Sequence, residues 1–136
     1  MIRRVLVWSL VAVLAALVLL RRVDVVEVRG RSMAPALLPG DRLLVARLPP
    51  RAGHVVLAFD PRDPHEPRRE LVKRVSSLGP AGAMLRGDNR SESTDGRTFG
   101  VLPPTAVGWR VIGRYWPADR IGLVPTSAVG DDLHGQ

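Results

Sequence analysis

Residues 5–20, VLVWSLVAVLAALVLL, run without a charge and with Ser9 as the one hydroxyl. No other stretch limits the fold so strongly. As a helix the run is about 24 Å long at ~1.5 Å per residue, short but feasible for a hydrocarbon core about 30 Å thick. Arg3, Arg4, Arg21 and Arg22 flank it and can snorkel to extend the span. A cleaved export signal needs small residues after its apolar run. Here VLLRRVDV follows, with no Ala-x-Ala pattern. We therefore read residues 1–22 as a retained, single-pass cell-membrane anchor, in contact with the bilayer through residues 5–20. The first arginine pair and the amino terminus favour an N-inside orientation, which leaves the rest of the chain on the extracytoplasmic side.

Of 136 residues, roughly 110 remain, enough for one compact core. The net charge is +7, a balance that suits nucleic acid, anionic lipid or plain solvation. The arginines are scattered, and the 3 Trp, 2 Phe and 1 Tyr form no stacking pattern. No nucleic-acid-binding signature is present, so no nucleic-acid partner is expected. The chain has 0 Cys, which excludes disulfides, thiol catalysis and cysteine-ligated zinc. No Asp, Glu or His spacing suits a metal, and no cofactor is expected.

Beyond the anchor, short β-branched runs are separated by Gly/Pro turns. VDVVEVRG (23–30), DRLLVARL (41–48), HVVLAF (54–59), ELVKRVSS (70–77) and AMLRG (83–87) read as strands, and AVGWRVIGRYW (106–116) as the last one. RSMAPALLPGD (31–41), DPRDPHEPRRE (60–70) and DNRSESTDGRT (88–98) read as loops. Asp41 ends the Pro-Gly-Asp turn. The fold class is thus mainly β, a compact antiparallel sheet over 23–117, followed by a weakly structured tail over 118–136.

Lys73 is the only lysine; arginine supplies every other basic residue. On a strand, Leu71, Lys73 and Val75 share one face. An amine set among aliphatic side chains sheds its proton more readily. Lysine can then act as a base, whereas arginine in effect cannot. A snorkelling surface lysine is the plainer alternative. Ser32 follows a strand in a turn with Gly30 before it and Pro35 after, a place that exposes a nucleophile on a fixed backbone. Loop serines are also commonly turn formers, and spacing alone does not bring Ser32 to Lys73.

Three strings in order, VRGRSMAPALLPGD, ELVKRV and LRGDNRSESTDGRTFGVLP, behind an apolar anchor, resemble the boxes of type I signal peptidases. The resemblance runs from about Val23 to Pro117. It implies an antiparallel β domain of the signal peptidase type and a Ser/Lys endopeptidase that removes signal or pro-peptides from precursor proteins. It further implies Ser32 as nucleophile, Lys73 as general base and Ser93 as the hydroxyl that orients the lysine. Gly87, Asp88 and Asn89 match a structural turn, Asp95 and Arg97 an ion pair near the site, and Met33 a residue packed beside the substrate pocket. Gly30 stands where some members carry a serine that helps bind the oxyanion, which leaves the Ser32 backbone N–H as principal donor. Gly96 is a second departure, and it loosens the loop of Asp95 and Arg97. Fourteen residues separate Lys73 from Asp88, where larger bacterial members insert a further β region.

Alternatives stay open. The chain could mature one dedicated precursor, as the nickel superoxide dismutase type does. It could also be a non-catalytic membrane-anchored β binding domain. A self-cleaving repressor-like protein would need a DNA-binding module where this chain has its anchor. His54, His65 and His134 lie in no motif that makes a Ser-His-Asp triad.

Overall fold

A computed structural model of the chain describes residues 1–60, 62–66, 69–89, 91 and 100–126. One helix, α1 (Ile2–Arg21), holds the apolar run and buries none of its residues against the rest of the chain. Its 20 residues span about 30 Å, enough to cross a bilayer. The Arg22 N–H closes the last turn on the Leu19 carbonyl at 3.0 Å, and the next residue opens β1.

The strands are β1 (Val23–Glu27), β2 (Arg42–Ala46), β3 (Val55–Ala58), β4 (Leu71–Gly79), β5 (Gly82–Arg86), β6 (Val101–Leu102), β7 (Trp109–Trp116) and β8 (Gly122–Leu123). They form one antiparallel sheet in the order β1-β2-β7-β3-β4-β5-β6, with β8 also paired to β7. The mainly β class behind one N-terminal apolar helix is thus what the chain adopts.

Every residue of β3 is buried, and that strand separates two cores. Val55 and Leu57 join Val28, Met33, Leu37, Leu43, Val45 and Val111. Val56 and Ala58 join Val75, Ala83, Leu85, Leu102, Ala106 and Val107. Period-2 alternation sends successive side chains to opposite faces. A strand covered on both faces therefore reads as an unbroken apolar run, as VVLA does. At the β5–β6 pairing Gly82 has φ +135°, and a Cβ there would collide with the Leu102 carbonyl.

Two readings need correction. AVGWRVIGRYW is not the last strand, because β8 follows it. Residues 118–126 are also not loose: Ala118–Arg120 form a 3₁₀ turn, β8 pairs with β7, and Val124 packs on the first core. The cause is ionic. Asp41 is 2 % exposed and accepts Arg120 at 2.8 and 3.0 Å and Arg114 at 3.1 Å. Asp41 thus does more than end a turn.

Candidate active site

Ser32 sits in the loop between β1 and β2. Turn hydrogen bonds shape that loop, Ala34 N–H to the Arg31 carbonyl at 3.1 Å and Leu37 N–H to the Met33 carbonyl at 2.9 Å. Its base is closed by the Val28 N–H to the Asp41 carbonyl (2.8 Å) and the Gly40 N–H to the Val28 carbonyl (2.9 Å). Met33 and Leu37 root it in the first core, at 1 % and 0 % exposure. Ser32 itself stays partly open.

Gly30 has φ +93° with open space around its Cα. Backbone conformation, rather than crowding, favours glycine at this position. A serine there would carry strain, which gives a physical reason for the departure seen in the sequence.

Lys73 lies in β4 opposite Val56. It is 3 % exposed, an uncommon degree of burial for a lysine. Ser32 and Lys73 line one cleft of about 1190 Å³, together with Gly30 and Met33. Part of its lining is β1, which among the described residues pairs with β2 alone, at the edge of the sheet. Leu71 and Val72 of β4 line the cleft as well, as do Asp60 and Asp63. A side-chain bond from Arg62 holds the Asp60 carboxyl below its usual range, and the backbone N–H groups of His65 and Glu66 do the same for Asp63. Both are therefore anionic at neutral pH.

Arg74, the neighbour of Lys73, organises the support. Its Nε and Nη2 donate to the two carboxylate oxygens of Asp88 at 2.9 and 2.8 Å. Its Nη1 donates to the carbonyls of Gly53 (2.8 Å) and Pro125 (2.7 Å). Next in the chain, the Asn89 N–H donates to the Ser32 carbonyl at 2.8 Å and the Asn89 amide Nδ2 to the Arg31 carbonyl at 3.1 Å. The Gly87-Asp88-Asn89 turn thus ties the lysine strand to the serine loop. Gly87 is buried within it. Ser93, Asp95 and Arg97 lie outside the described residues. Sequence reasoning missed Arg74 and the Asp41–Arg114–Arg120 cluster. The one hint for Arg74 was a second basic residue, next to Lys73, in a strand that begins and continues with Leu and Val.

Residues 1–82 match the family model described as "Signal peptidase, peptidase S26". The chain is 33% identical over 128 residues to "Mitochondrial ATP-independent inner membrane protease subunit 1a" of Arabidopsis thaliana, covering 74% of each protein. It is 28% identical over 131 residues to "Mitochondrial inner membrane protease subunit 1" of Homo sapiens, covering 78% of this chain and 77% of that one. The matched span includes the Ser32 loop and β4, and on this footing the chain belongs to the signal peptidase family of peptidases, peptidase S26.

Proposed function

We propose that the protein is a membrane-anchored serine endopeptidase that removes N-terminal signal or pro-peptides, with Ser32 as nucleophile and Lys73 as general base. The observation that carries this reading is the joint placement of Ser32 and a 3 % exposed Lys73 on one cleft. Withdrawal from water favours the neutral amine. A neutral amine can take the Ser32 hydroxyl proton as Oγ attacks the scissile carbonyl, a kind of assistance worth about 10²–10⁴-fold. The proton then passes from Lys73 to the leaving amine. Water, activated by the same lysine, hydrolyses the acyl-enzyme.

The oxyanion is held by the Ser32 backbone N–H, since Gly30 offers no side-chain donor. On this reading, which the family resemblance supports, Ser93 is the residue that orients the amine, with Asp95 and Arg97 in a supporting role. The substrate lies extended along the edge of β1 as an added strand, with small residues on the acyl side of the cut. In cells, α1 places the protein in the cell membrane with the cleft on the extracytoplasmic side. The relatives named above are inner-membrane proteases of mitochondria, which supports a membrane-bound setting.

The test is turnover of secretory precursors and of peptides with an Ala-x-Ala-like sequence before the cut. Ser32→Ala and Lys73→Arg are both expected to fall to background. Substantial turnover by Lys73→Arg would remove the base from the scheme. Use of a single precursor out of a broad panel would favour the dedicated maturation protease.

A further inference from the structure

The segment that follows β7 touches the serine loop and the lysine strand at separate points. Arg120 reaches the loop through Asp41, whose carboxylate also accepts the Leu38 N–H at 2.9 Å. Arg114 joins the same grip. It donates through Nε to the Arg120 carbonyl and through Nη1 to the Ala36 carbonyl at 2.9 Å. Five residues further on, the Pro125 carbonyl accepts the Arg74 guanidinium at 2.7 Å. That guanidinium holds Asp88, and the neighbouring Asn89 holds the Ser32 carbonyl. Between the two grips Val124 packs on the core that contains Met33 and Leu37.

We propose that residues 117–125 are a positioning strap, with Arg120 as its key residue, that fixes the Ser32 loop against β4. The proposal rests on the serine–lysine reading above. The strap lies beyond the residues 1–82 matched by the family model. It works from opposite ends of the loop. Arg120 and Arg114 hold the stretch leading to β2, while Pro125 steadies the Arg74–Asp88 pair that leads back to Ser32. The buried Asp41 carboxylate of the loop carries two cationic partners, so losing Arg120 still leaves the loop joined to β7 through Arg114. A small displacement of a nucleophile is enough to slow chemistry by about 10²-fold.

The test uses the full chain in detergent and a peptide with small residues before the cut. Arg120→Ala is expected to lower kcat about tenfold to a hundredfold at an unchanged KM. Arg120→Lys, which restores a cation to Asp41, is expected to recover most of that loss. Asp119→Ala, on the same turn, should behave as wild type. If Arg120→Ala does not fold, Arg120→Gln carries the same kcat comparison. Wild-type kcat in a neutral variant overturns the strap, as does a rise in KM alone or a loss that tracks only the unfolded fraction. Ser32→Ala assayed alongside separates the two claims. Turnover retained there defeats the serine reading itself, whereas a dead Ser32→Ala beside a fully active Arg120→Ala defeats only the strap.

Discussion

Arg74 shows what one buried cation does when all three of its guanidinium nitrogens donate. Arg74→Ala removes the partner of Asp88 and leaves the Gly53 and Pro125 carbonyls unserved. Denaturant unfolding should show a loss of about 1–3 kcal/mol, with turnover reduced because Asn89 no longer sits firmly under Ser32. His54 gives a pH-dependent case. Burial first, then the charges of Arg110 and Arg51, lower its pKa below 6.5. Its Nδ1 accepts the Arg51 N–H at 3.1 Å, an interaction that protonation removes. The fold therefore favours neutral His54. Its stabilisation is whole above pH 6.5 and declines as the pH drops below that value toward the depressed folded pKa. Thermal unfolding of the wild type should weaken from pH 7 to pH 5, and His54→Asn, which keeps an acceptor, should flatten part of that slope. An identical slope in the variant would refute the assignment. At this scale the sequence exposed Ser32 and Lys73 because their types are chemically unusual where they stand. It hid Arg74 and Asp41, whose ionic partners lie 14 to 79 residues away.

Among the elements, β3 and β4 carry the most consequence. Lys73 shares its face of β4 with Val75 of the second core and lies opposite Val56. Lys73→Met is accordingly expected to keep its fold, because an apolar side chain of similar length takes the place of the amine beside Val56 and Val75. Turnover should nevertheless vanish. A midpoint well below wild type would mean that the amine is needed for folding as well. Gly82→Ala tests the β5–β6 edge. The new Cβ meets backbone at Leu102, so a loss of about 1–3 kcal/mol is expected by thermal unfolding. The four- to nine-residue strands were legible because alternation, or an unbroken apolar run as in β3, needs about four residues to show itself. β6 and β8, with 2 residues each, are too short to carry a pattern. β8 exists because Arg120 finds Asp41 and Val124 finds the first core, which are long-range pairings no local window contains.

For the molecule as a whole, anchor and sheet are separable in principle, since α1 buries nothing against the strands. A chain lacking residues 2–21 should keep its β-sheet circular dichroism and leave the membrane fraction. Collapse of the sheet signal on removal of the helix would show a dependence that the burial does not suggest. The apolar run was legible at once, because length and hydropathy define it without reference to any partner. How the sheet closes around the cleft was not, since the order β1-β2-β7-β3 brings distant strands together. Only Arg22 lies between α1 and β1, and ten residues take the chain from Arg22 to Ser32. Fully extended, that tether measures about 35 Å at most. On the proposed serine–lysine reading, and with α1 held in lipid, the leash acts as a ruler, and bonds cut at Ser32 must be presented within that height of the bilayer surface.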